Sequence, residues 1–214
     1  RKLAAETGYP VASVEYRLAP EQPFPAGLED CYAAVSWASE QAGELGADPE
    51  RLVVAGDSAG ANLATAVALL TRDRGGPEIA YQILVYPATG NAVGTKSIEE
   101  NAEGYFLSRE TMAWFSDCYL SDPIDRGNIY ALPGRARNLS GLPPATVVTA
   151  GFDPLRDDGG RYVAQLREDG VEVSHYHFEA MIHGFFNMIG EPVDLDRAHD
   201  AYEQIAADLQ SQFS

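Results

Sequence analysis

Residues 51–72, RLVVAGDSAGANLATAVALLTR, decide the fold. An apolar run from Leu52 to Ala55 breaks at Gly56-Asp57-Ser58-Ala59-Gly60, and an alanine-rich helical pattern begins at once. That spells a strand, a tight turn and a helix, with Ser58 at the apex. A serine held in a strained strand-to-helix turn needs small neighbours that let the backbone approach closely, and Gly56, Ala59 and Gly60 supply them. The first N–H groups of the helix, beginning with Ala59, then point at whatever Ser58 attacks. A bare G-x-S-x-G also arises by chance; the strand before it and the helix after it make Ser58 a candidate nucleophile.

Upstream, Leu3 to Ala5 followed by Thr7-Gly8 read as the end of a helix. Residues 11–18 alternate in side and read as a strand. Three prolines in APEQPFPAG, residues 19–27, exclude regular structure there. Residues 28–43 form an amphipathic helix with Leu28, Cys31, Tyr32, Val35 and Ala38 on one stripe, and Gly46-Ala47-Asp48-Pro49 turns the chain into the elbow.

Downstream, Gly75-Gly76-Pro77 ends the elbow unit and residues 79–86 form a largely apolar strand. Residues 88–143 interrupt the alternation. A polar stretch, 89–104, leads to a helix capped by Ser108, with Met112, Phe115 and Tyr119 along one side, and then to a proline-marked loop. Excursions of this kind from a sheet's carboxyl edge build or cover a site. The alternation resumes with a strand at 145–150, a helix at 154–169, a strand at 171–178, a loop at 180–189 and a closing helix at 195–213. The expected class is α/β, a mostly parallel sheet with helices on both faces, in a single domain over residues 1–214.

With 214 residues, 45% hydrophobic and 10% aromatic, the chain has the composition of a folded domain. A net charge of −17 argues against nucleic acid or an anionic membrane surface as partner. That acidity fits an ordinary soluble surface, with salt adaptation as the alternative. No apolar run approaches the ~18 residues of a membrane span, and no signal peptide is evident, so the expected location is cytoplasmic. Cys31 and Cys118 sit in helical patterns as buried thiols, with a single disulfide as the alternative.

An activated serine needs a base, and the chain has four histidines. His175 and His177 lie two apart on one face of a strand, a structural or interface arrangement. His199 sits in the last helix among Asp196, Arg197 and Asp200. His183, in Met181-Ile182-His183-Gly184-Phe185, follows a strand's carboxyl end and is the expected base. Asp153, at the strand-to-helix corner GFDPLRDDG, is preferred to Asp157 as its orienting acid. Asp-Pro is also a good helix start, and Asp157 and Asp158 suit the helix dipole. The order Ser58, Asp153, His183, on consecutive carboxyl-side loops, is that of the α/β-hydrolase fold.

Four segments carry a resemblance: VEYRLAPEQPFPAGLEDC (14–31), GDSAGANLA (56–64), LPPATVVTAGFDPLRDDG (142–159) and MIHGFFNM (181–188). Together the sequence resembles the hormone-sensitive-lipase-like esterases of bacterial family IV. The resemblance implies hydrolysis of short-chain or aryl carboxylic esters through an acyl-enzyme, without metal or cofactor, on Ser58, Asp153 and His183, with the Ala59 N–H as an oxyanion donor. Ala61 replaces the family's usual glycine. The family's HGGG-type oxyanion loop precedes the segment matching residue 1, and this chain, which opens on Arg1, contains no such motif. The family's strand leading into that loop lies between those matching 11–18 and 51–55, so N-terminal strands are expected to be missing and a gap to open there. An amidase or a lactone hydrolase is the near alternative. A catalytically impaired form, or a ligand-binding module such as the gibberellin receptor of plants, which has lost the triad histidine, is the distant one. Family members often pair through the last strand, here 171–178, so a homodimer is expected.

Overall fold

At the centre of the computed structural model, which describes residues 1–214, four parallel strands lie side by side in sequence order: β1 (Val53–Asp57), β2 (Tyr81–Val85), β3 (Ala145–Phe152) and β4 (Val173–Ile182). Val53 is in register with Tyr81, Gln82 with Ala145, and Ala145 with Val173. Every residue of β2 is buried, as the near-continuous apolar run of a parallel strand requires. The helices are α1 (Lys2–Thr7), α2 (Ala26–Gln41), α3 (Ala59–Arg74), α4 (Lys96–Glu100), α5 (Arg109–Tyr119), α6 (Arg156–Glu168) and α7 (Asp196–Gln212).

Two apolar layers cover the sheet. On one face Leu28 of α2, Val67 and Leu70 of α3, and Tyr162 and Leu166 of α6 pack over Val54, Leu84 and Val147. On the other, Ala201, Ile205 and Leu209 of α7 pack over Ile83, Val148 and Phe178, with Leu3 of α1 at the margin. Helix α3 is buried from Ala61 to Thr71; Ala61 sits in this layer without strain, as a helix interior allows. No helix is long and apolar enough to cross a membrane. Both cysteines are free and half-buried, so the disulfide alternative falls; burial pushes the Cys31 thiol up to about 11.

The structure departs from the sequence reading in four places. Residues 11–18 join no sheet: they form no strand, and Val11, Val14 and Leu18 are exposed. The segment is held by side chains instead, with the Arg17 N–H donating to Asp30 Oδ2 (2.9 Å) and its guanidinium to the same carboxylate. Alternation marks a two-sided strand but cannot supply the neighbouring backbone that makes one. The last strand continues to Ile182, through part of the expected loop. Met112, Phe115 and Tyr119 of α5 do not share one environment: Phe115 faces solvent beside Trp114, while Met112 and Tyr119 are half-buried. The polar stretch 89–104 contains the short helix α4, with Thr89, Thr95, Ser97 and Asn101 buried.

His175 Nε2 and His177 Nδ1 both lie 2.9 Å from Thr149 Oγ1, tying β4 to β3. Burial, with His177 alongside, holds the His175 imidazole below its ordinary value of 6.5. The unfolded chain therefore takes the proton first, so stability is complete above the unfolded value and falls as pH drops through it. A urea midpoint that declines from about pH 7.5 to about pH 5.5, and declines less in His175→Asn, is expected; equal declines would contradict it.

Candidate active site

The site begins with a steric constraint in the elbow. A Cβ on Gly56 would come within 2.2 Å of the Gly60 carbonyl and 2.6 Å of the Ala61 nitrogen, so only glycine fits where β1 meets α3. Gly60 differs from the sequence expectation: a Cβ there meets nothing within 4 Å. Between them Ser58 adopts φ 53°, ψ −115°, a left-handed conformation that L side chains rarely take. Its N–H donates to Val85 O (2.9 Å), fastening the turn to the end of β2. Ala59 opens α3, and the first N–H groups of a helix have no partner within it.

Asp153 follows β3 and is fully buried. Its Oδ1 accepts the Leu155 N–H at 2.8 Å, and its Oδ2 lies 2.7 Å from His183 Nδ1. Capping the turn and holding the imidazole are thus done by two oxygens of one carboxylate. His183 follows directly on β4, and its Nε2 lies 2.9 Å from Ser58 Oγ. The buried Tyr86 ring leans against the imidazole, their centroids 4.5 Å apart. The three loops are not consecutive, because β2, with Tyr86 just past its end, lies between the strands that carry Ser58 and Asp153.

The remaining candidates are engaged elsewhere. Asp157 accepts from the Ser97 N–H and Arg156 Nε, both at 2.9 Å. His199 lies 2.6 Å from Asp194. His175 and His177 share Thr149.

Several residues that shape the site were not singled out from sequence. The buried Asp158 carboxylate accepts N–H groups from Thr89 (2.9 Å), Gly90 (3.2 Å) and Asn91 (3.0 Å), together with the Thr89 hydroxyl. Burial pushes this carboxyl above its ordinary range, and the donors pull it back. Asn62, in the first turn of α3, donates to Ala88 O (2.8 Å) and Ala131 O (3.1 Å). Asn101 reaches Asp153 O (3.2 Å). Asparagine inside an alanine-rich helix was the available signal for Asn62. For Asp158 there was none beyond its place in an acidic first turn.

A family model for the alpha/beta hydrolase fold matches residues 1–187. The chain is 46% identical over 182 residues to esterase LipI of Mycobacterium tuberculosis, covering 84% of this chain and 57% of that protein. It is 39% identical over 183 residues to an arylesterase of Saccharolobus solfataricus, covering 85% and 58%. Among solved structures, a hyperthermophilic esterase from the archaeon Pyrobaculum calidifontis is 44% identical with a TM-score of 0.92, over 99% of this chain and 69% of that one. The chain therefore spans less than two thirds of the length of these curated relatives.

The geometry sets the stability of three variants. Gly56→Ala should lose more than about 3 kcal/mol, while Gly60→Ala should be neutral or gain up to about 1 kcal/mol from helix propensity. Urea unfolding checks both, and equal effects would contradict the close contact at Gly56. Asp158→Asn sets an amide NH2 against main-chain donors, so a loss of about 1–3 kcal/mol is expected by the same measurement.

Proposed function

The chain belongs to the alpha/beta hydrolase fold family and, within it, to the hormone-sensitive-lipase-like esterases, and from that premise we propose that it is a serine carboxylesterase acting through Ser58, His183 and Asp153. One observation carries the proposal: the unbroken chain of contacts from Asp153 Oδ2 through the imidazole of His183 to Ser58 Oγ, at 2.7 and 2.9 Å.

Ser58 Oγ attacks the ester carbonyl carbon while His183 Nε2 takes its proton. Asp153 accepts from Nδ1–H and so selects the tautomer whose Nε2 lone pair faces the serine. The carbonyl oxygen becomes an oxyanion, to which the Ala59 N–H donates; one such donor is worth about 10² to 10³ in rate. The C–O bond to the alcohol then breaks as His183 returns the proton to the leaving oxygen, and the acyl-enzyme remains. Water repeats the sequence: His183 takes its proton, the hydroxide oxygen bonds to the acyl carbon, and Ser58 leaves with the proton restored.

Short-chain and aryl esters are the substrates we propose, in keeping with a relative described as an arylesterase. Residues 1–214 act as one catalytic domain in this reading, with 88–143 shaping its mouth. We also propose that the outer edge of β4 pairs two copies, because an uncovered parallel edge presents unpaired backbone groups. A monomer mass by sedimentation at micromolar concentration would remove that part.

Hydrolysis of p-nitrophenyl butyrate tests the reaction. The expected result is turnover that falls about 10⁴-fold or more in Ser58→Ala. Equal turnover in the two proteins would overturn the assignment of Ser58. Faster turnover of butyranilide than of the ester would make the chain an amidase.

A further inference from the structure

The elbow reaches the turn of His183 at a second point. Asp57, the residue before Ser58, accepts a hydrogen bond through Oδ2 from Asn187 Nδ2 at 2.8 Å and a longer one from the Tyr86 hydroxyl at 3.4 Å. Asn187 lies four residues past His183, in the short helical turn Phe185–Asn187, where its own N–H donates to Gly184 O (3.1 Å). Tyr86 OH is 3.5 Å from Asn187 Nδ2, and the Tyr86 ring rests on the imidazole. Tyr86 is buried and, like Ser58, has a left-handed backbone, with φ 36°. Residues from the ends of β1 and β2 and from the turn after β4 thus meet at one carboxylate.

We propose that Asp57 is a positioning residue: through Asn187, and with Tyr86 as backing, it locks the turn that carries His183 to the elbow that carries Ser58. The inference rests on the triad reading given above and adds a link that lies off the proton path. The Ser58–His183 hydrogen bond is consumed each time the proton moves, and Asp153 holds the imidazole through one nitrogen, about which the ring can swing. The Asp57–Asn187 bond persists through both halves of the reaction. A displacement of about 1 Å between reacting groups costs about 10² in rate. The bond itself is solvent-exposed and so adds little to folding stability. A large effect on turnover with a small effect on stability is the signature of the clamp, and ordinary surface bonds do not give it.

The variants separate the possibilities. Asn187→Ala and Asp57→Ala should each lower kcat by about 10- to 100-fold with KM within about threefold, and the double variant should be no slower than the worse single one. Asp57→Asn retains an oxygen that accepts from the Asn187 amide, so it should keep kcat within about fivefold of the parent. Melting temperatures should stay within about 4 °C. An unchanged kcat in Asn187→Ala, losses that multiply in the double variant, or losses that follow the melting temperature would each overturn the proposal. Proton NMR supplies a readout independent of turnover. The hydrogen-bonded Nδ1 proton of His183 should be sharp in the parent and broadened in Asn187→Ala. The same signal in both would overturn the clamp even if no ester is hydrolysed. Failure of the parent to hydrolyse any ester, with the signal behaving as expected, would instead count against the esterase reading.

Discussion

The close approach of Gly56 to the Gly60 carbonyl is the constraint on which the rest of the molecule depends. It lets α3 begin at the residue after Ser58 and leaves that serine in a backbone conformation it would not choose alone. The strain is held by neighbours. Ser58 N–H is bonded to β2, and α3 is buried along most of its length against β1, β2 and the facing helices. The same helix reaches outward through Asn62 to main-chain oxygens at Ala88 and Ala131, at the start of the excursion and in its second half. One element aims the serine and anchors the segment lying over it.

The acid side is built by dividing work among three neighbouring aspartates. Asp153 meets His183, Asp157 holds the start of α4 through the Ser97 N–H, and Asp158 gathers the backbone of residues 89–91. Burying carboxylates is unfavourable unless hydrogen bonds replace water, and here each has donors in place. Around α4 the excursion is held by the Asp157 and Asp158 carboxylates and a buried apolar cluster of only Ala92, Leu107 and Leu155, whereas its later part packs Ala136, Leu139 and Leu142 into the main core.

Much of this was legible in the chain, and for physical reasons. The strand–turn–helix around Ser58 shows because glycine, serine and alanine answer a local steric demand, and His183 stands out because only one histidine follows a strand end in a loop. Asp153 could be read at the strand-to-helix corner, and the structure puts it within bonding distance of His183. What stayed hidden depends on distant partners. Residues 11–18 alternate like a strand yet find no neighbour. The polar stretch 89–104 shows in the sequence only as polar, since its burial depends on Asp157 and Asp158, some 60 residues away. Asp57 and Asn187 were visible as letters beside known motifs, but their bond spans 130 residues.

The central claim is that Ser58 is a nucleophile because His183 and Asp153 activate it. Reaction with a fluorophosphonate, followed by intact mass and peptide mapping, measures that property directly and needs no knowledge of the natural ester. The account predicts a single adduct on Ser58, formed at least about 10³-fold more slowly in His183→Ala. Labelling at another residue, or labelling of Ser58 at an equal rate without the histidine, would contradict it.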